Sequence, residues 1–198
     1  MKKRIFVLAV VLICLSVLAS TTIAYFTDTD IARNVITSGG IDIHIIEQQL
    51  SDGKLVDFPN EPIPVMPAST VSKIVSVQNT DEPAWIRVIY TVTVYDIEGR
   101  AMDIPAEELA KVIGITPDTT NWTMKDGWWY YNYAVKTGET TLPLFEKVVF
   151  SGPHMDNKYQ NCTVVIDVDA QAVQTANNGE TVWDAHGWAE SKQGGEEQ

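Results

Sequence analysis

Apolar and polar residues alternate along several stretches of this chain, which is the pattern of half-buried β-strands. The longest stretch runs from residue 84 to residue 96. Its apolar face consists of Ile86, Val88, Tyr90, Val92 and Val94, and its other face mixes polar and apolar residues. A period of two sustained over this length predicts a strand with one face in the core.

Residues 145–150 follow a loop that contains Gly138 and Pro143. Three shorter stretches carry the same signal as residues 84–96, at residues 41–47, 70–79 and 161–170. In the last of them, alternation predicts that Cys162, Val164, Ile166 and Val168 point inward and that Asp167 and Asp169 point outward. Residues 58–68 contain four prolines, which cannot donate to a sheet ladder, so this segment is predicted to be a connector.

Two further elements follow from turn and cap residues. Asp126-Gly127, flanked by aromatic strand residues between positions 121 and 133, predicts a hairpin. Pro105 suits the first position of a short helix, and Gly114 suits its end. Together the pattern predicts an all-β fold with minor α content: an antiparallel, jelly-roll-like β-sandwich of residues 41–190 with one or two short helices.

The N-terminus has the three parts of a secretory signal peptide. Lys2, Lys3 and Arg4 precede an apolar run over residues 5–19, and small and polar residues follow as far as Ala24. This pattern predicts a signal peptide of residues 1–24 with cleavage between Ala24 and Tyr25. An uncleaved anchor is the alternative, but an apolar run of about 15 residues is short for a bilayer that needs roughly 20. We therefore expect a secreted protein that meets the membrane only through its uncleaved leader.

The net charge of the chain limits the kinds of molecule that it is expected to bind. Loss of residues 1–24 lowers Lys+Arg from 14 to 11 against 26 Asp+Glu, so the net charge moves from −12 to −15. So acidic a protein repels phosphate backbones, and no nucleic-acid partner is predicted.

The mature chain has one cysteine, Cys162, because Cys14 lies in the leader. An exported domain with one thiol forms no internal disulfide and must be stabilised by its core. Cys162 falls in an alternating apolar pattern, which predicts a small buried hydrophobic residue and not a reactive thiol.

No motif for catalysis or metal binding is present. The His-Glu-x-x-His and Gly-x-Ser-x-Gly patterns are absent, and His44, His154 and His186 lie far apart in the sequence. We predict no catalytic residue, no metal ligand set and no cofactor, and therefore no enzyme.

The most unusual local feature is a run of aromatic residues, Trp128, Trp129, Tyr130 and Tyr131. On an exposed β-face such rings can stack on sugars or anchor a partner protein. In a strand, however, alternate rings must point into the core. A structural role is favoured, and an aromatic binding surface is the alternative.

Residues 23–47 resemble the TasA/camelysin family of exported Gram-positive proteins. The resemblance rests on Ala24-Tyr-Phe-Thr-Asp28, on the Gly39-Gly40 turn and on the strand Ile41-Asp-Ile43, all at the family's spacing after the leader. Looser similarity covers residues 127–131, 138–145 and 172–174.

The resemblance implies a jelly-roll-like sandwich, a dedicated signal peptidase as a partner during export, and a role in the biofilm matrix or on the cell surface. In fibre-forming members the freed N-terminal segment completes the sheet of the next subunit. Here that donor would lie in an extension of residues 25–40, with the self-assembly residues Tyr25, Phe26, Ile31 and Val35. The alternative is that this segment packs on its own domain.

Three functions remain in order of preference. The first is a secreted structural protein that associates with itself or with other matrix proteins, with an acidic, disordered tail at residues 191–198. The second is a surface module that binds a glycan or a partner through its aromatic run. The third is a camelysin-type metalloprotease, although the chain has no recognised metal motif.

Overall fold

The computed structural model describes residues 34–38, 41–60, 63 and 65–189. Its ten strands are β1 (Asn34–Ser38), β2 (Ile43–Ser51), β3 (Lys54–Asp57), β4 (Thr70–Asn79), β5 (Ala84–Tyr95), β6 (Ile113–Ile115), β7 (Trp122–Lys125), β8 (Trp128–Tyr131), β9 (Phe145–Phe150) and β10 (Thr163–Gln174). Within the described residues, one α-helix, α1 (Ala106–Val112), and one 3₁₀ turn (Asn157–Tyr159) lie between strands.

The strands form two five-stranded sheets that pack face to face. Sheet A has the order β1-β10-β5-β8-β7, and sheet B has the order β3-β2-β4-β9-β6. Every described strand pair is antiparallel except β1–β10, which is parallel. The prediction of a mostly β sandwich with little helix is confirmed. The jelly-roll connectivity stays a prediction.

The centre of sheet A is the pair formed by β5 and β10. It runs for twelve residues, from Thr163 opposite Tyr95 to Gln174 opposite Ala84. The predicted inward faces of both strands lie in the core between the sheets, where they meet Val75, Val77 and Phe145 of sheet B. Cys162 is buried there as predicted, and this burial, together with the charge of Asp96, raises the pKa of its thiol.

The hairpin prediction is confirmed. Strands β7 and β8 are joined by Asp126 and Gly127, both with positive φ (50° and 83°), as a two-residue type I′ turn requires. Trp122 at the start of β7 is fully buried, and its ring lies 5.0 Å from that of Tyr131.

The predicted boundaries of the last strand and of the helix end were wrong. The last strand is not residues 161–170 but β10, which starts at Thr163 because Asn161 has a left-handed φ of 59°. It continues to Gln174 because residues 170–173 are buried. Gly114 does not end the helix: α1 stops at Val112, where Ile113 becomes extended and pairs with Phe150, so Gly114 lies within β6.

The core contains an ion pair that the hydrophobic pattern did not reveal. Lys73 on β4 has an Nζ atom 3.1 Å from a carboxylate oxygen of Glu47 on β2, with side-chain exposures of 2% and 7%. The Lys73 Nζ also lies 3.9 Å from the centre of the Phe58 ring. The two charges compensate each other in an environment that would penalise either one alone.

This pair gives a stability prediction. Lys73→Met should lower the free energy of unfolding by about 3–5 kcal/mol, because it removes the cation that lies 3.1 Å from the buried Glu47 carboxylate. The double variant Glu47→Leu/Lys73→Met should recover most of that loss. Urea unfolding of the three proteins measures both effects, and equal losses in the single and double variants would contradict the coupling.

Candidate functional site: the β1–β10 edge

The N-terminal strand β1 lies along the edge of β10. The two strands are in parallel register, with Asn34 opposite Asp169 and Ser38 opposite Val173. On its other side, β10 is bonded to β5 along its whole length. Within the described residues, β1 pairs with β10 alone, so β1 is the edge strand of sheet A.

The connection from β1 leads out of the sheet. Residues 39–42 separate β1 from β2, and β2 belongs to sheet B. The strand that follows in sequence is therefore not a ladder partner of β1, whose described ladder is the five-residue pairing with β10. This arrangement makes β1 separable from the rest of the sandwich without breaking any other described strand pair.

The part of β10 that faces β1 is fixed on both sides of the sheet. Ala170 and Ala172 are buried in the core between the sheets, and Gln171 and Val173 are buried on the opposite face. Without β1, this rigid segment would present unpaired main-chain N–H and C=O groups, which is the situation that strand addition relieves. Chemically, the site binds one extended polypeptide through main-chain hydrogen bonds.

Of the predicted assembly residues, some lie within the described part of the chain and others lie outside it. Ala24, Tyr25, Phe26 and Ile31 lie outside the described residues, as do residues 191–198. Val35 lies in β1, opposite Ala170. The part of the predicted 25–40 extension that the structure describes is thus a strand of the same chain's own sheet.

The aromatic run is mostly buried. Trp128, Tyr130 and Tyr131 are buried, and Trp129 is half-buried. Alternation sends Tyr131 and Trp129 toward the core between the sheets, and Trp128 and Tyr130 toward the opposite face. A buried ring cannot stack on a sugar, so this geometry favours the structural role, and a glycan surface stays a prediction.

The sequence did not predict the segment that covers Trp128 and Tyr130. Residues 175–189, here called the strap, follow β10 and fold over the outer face of sheet A. The outer cluster beneath and within the strap consists of Trp85, Trp128, Tyr130, Val173, Val182 and Ala185. Two features of the sequence could have indicated this covering: the tryptophans of the tail, and the large residues on the mixed face of β5.

Other polar groups form ordinary surface contacts. Glu108 accepts hydrogen bonds from Lys158 and from the Tyr159 hydroxyl (2.8 Å), and these donors lower the pKa of its carboxyl group. Across the described ranges, no three His, Cys, Asp or Glu side chains cluster as a metal site would require. Within the same residues, no helix has the length and apolar content needed to cross a bilayer.

Comparison with protein-family models, with curated proteins and with solved structures finds no match to this chain.

The edge geometry predicts the effect of removing β1. In a mature chain that starts at residue 39, about half of the amides of residues 169–173 should lose protection from hydrogen exchange. The others should keep it, because alternate N–H groups of a strand point to opposite neighbours and those bonded to β5 remain paired. Exchange measured by NMR checks this. Uniform protection across the five residues would show that β1 does not pair there.

Proposed function

We propose that this protein is an exported structural component of the cell surface or extracellular matrix, and that its copies assemble by exchanging the N-terminal segment that contains β1. The observation that carries the proposal is the position of β1, an N-terminal edge strand held in sheet A by β10. The family resemblance of residues 23–47 supports the same function.

Exchange needs no new interface. The main-chain bonds between β1 and β10 are the same whether β1 comes from the same chain or from a neighbouring copy. The linker between β1 and β2 includes Gly39 and Gly40, a residue type that adopts open and closed backbone conformations at low cost. Because each copy has one donor and one acceptor edge, exchange from copy to copy gives a head-to-tail chain.

The register extends the proposal to the segment before β1. Each β1 residue lies opposite the residue 135 positions later, as Asn34 and Asp169 show. Strand β10 starts at Thr163, so the same register in an assembly would place residues 28–33 opposite residues 163–168. Ile31 would then lie opposite Ile166, which belongs to the inward face of β10.

Leader removal supplies the free end. Cleavage after Ala24 would leave a donor of residues 25–38 with no domain in front of it, so the segment could enter the edge of another copy. The net negative charge expected of the mature chain would disfavour binding to nucleic acid, which fits an extracellular structural role.

The test is strand addition in trans. A synthetic peptide of residues 25–38 should bind the chain that starts at residue 39 and restore amide protection at residues 169–173, because it supplies the missing ladder. A peptide of the same composition in scrambled order is the control. Binding is measured by calorimetry and protection by hydrogen exchange.

A shorter peptide tests the register. Residues 34–38 alone should bind at least tenfold more weakly than residues 25–38, because the longer segment adds contacts along residues 163–168. Failure of the long peptide to bind the truncated chain would overturn the proposed function.

A further inference from the structure

Arg87 lies in the middle of a row of residues that crosses all five strands of sheet A. The row runs Ile36, Gln171, Arg87, Tyr130 and Thr123, each opposite the next in the strand register. Its first member is the central residue of β1, and its second is the β10 residue directly opposite. Arg87 is therefore one strand away from the acceptor edge.

The guanidinium group binds both of its neighbours in the row. Its Nε and one Nη donate to the Gln171 Oε1 at 3.0 and 2.6 Å, and its other Nη donates to the Tyr130 hydroxyl at 3.0 Å. These bonds fix the side chain of the acceptor-strand residue opposite the centre of β1. A bond of this kind from a charged donor is stronger than one between neutral groups.

The same guanidinium also binds the strap. The Nη that reaches Gln171 donates to the main-chain oxygen of Ala189 at 3.0 Å. The Arg87 Cζ lies 4.3 Å from the ring centre of Trp128 and 4.7 Å from that of Trp188, so a strap ring and a sheet ring both contact the cation. Arg87 thus joins the strap, the acceptor strand and the aromatic hairpin.

The charge of Arg87 makes these contacts interdependent. Arg87 is 9% exposed, and every hydrogen-bond acceptor that the described residues give it is an uncharged oxygen. A buried cation without a carboxylate depends on all of its dipoles and rings together. If the strap leaves, Arg87 loses its contacts with Ala189 and Trp188 at the same time. Its hydrogen bonds to Gln171 are then no longer shielded from water.

We propose that Arg87 is a positioning residue that couples strap docking to the acceptor edge: the docked strap, through Arg87 and Gln171, holds β10 in the conformation that accepts a strand. This rests on the proposed function, because the acceptor edge is the one used in assembly. Opening of the strap lowers the affinity of the edge for residues 25–38.

The strap offers a matched pair of variants that leave Arg87 and β10 unchanged. Gly179 has φ +82°, and an added Cβ there would lie 2.6 Å from the Asp184 Cβ and 2.9 Å from its carbonyl carbon. Gly187 has φ +84°, and an added Cβ there would meet nothing within 4 Å. Both alanine variants carry the same left-handed strain, so their difference isolates the clash that opens the strap.

The experiment uses chains that start at residue 39 and the peptide of residues 25–38. Arg87→Met and Gly179→Ala should each weaken peptide binding about tenfold relative to the unsubstituted truncated chain, and Gly187→Ala should change it less than threefold. Arg87→Lys keeps the charge but cannot bridge Gln171, Tyr130 and Ala189, so it should behave like Arg87→Met. It replaces the methionine variant if that variant does not fold.

Hydrogen exchange separates positioning from general destabilisation. In Arg87→Met and Gly179→Ala, protection should fall at residues 169–173 while residues 74–79 of β4 in sheet B keep theirs. Equal loss in both sheets would show a purely structural role for Arg87. Unchanged peptide affinity in both variants, with the unsubstituted chain binding normally, would overturn the coupling and leave the proposed function intact. No binding by the unsubstituted chain would overturn the proposed function instead.

Discussion

The twelve-residue pairing of β5 with β10 is the interaction on which the rest of the structure depends. It places two long apolar faces side by side against sheet B, and so forms one wall of the core that a disulfide-free domain must have. In this pairing β10 is bonded to β5 along one of its two edges, and its other edge is available to β1. The strength of the β5–β10 ladder is what allows β10 to bind a separable strand without losing its own position.

The same ladder connects the two faces of sheet A. Inward residues of β5 and β10 fill the sandwich, and outward ones, among them Trp85, Arg87, Gln171 and Val173, form the floor on which the strap packs. A change on the outer face therefore reaches the acceptor edge through one cross-strand contact. The proposed assembly and strap docking would both use β10, which is the physical basis for treating them as coupled.

The sequence predicted the fold well where one face of a strand is uniformly apolar. The period of two in residues 84–96, the Asp126-Gly127 turn and the inward set around Val164 and Ile166 each depend on local spacing, and each was confirmed. Local spacing could not predict burial of a mixed face. Trp85 and Arg87 are covered by residues about a hundred positions later, and only the tertiary fold brings the strap over them.

The ion pair of Lys73 and Glu47 was missed for the same reason. A lysine in the apolar pattern of β4 looks like a break in that pattern until its partner on β2 is known. For the candidate site, the family resemblance implied that Val35 belongs to a strand-forming segment, but only the register shows that its partner is Ala170 of β10. The choice between the chain's own edge and that of a neighbour is not encoded in spacing at all, since both use the same bonds.

The most direct measurement of that choice is a disulfide between copies. Mature protein starting at Tyr25 is prepared in a Cys162→Ala background as two variants, Asn34→Cys and Asp169→Cys, which are mixed and oxidised. Register partners on adjacent strands lie about 4.8 Å apart, within the span of a disulfide. Strand exchange predicts a covalent dimer whose linked peptides carry positions 34 and 169. If these two positions never link between copies, although they link readily when both cysteines are in one chain, the segment stays on its own domain and the assembly account is wrong.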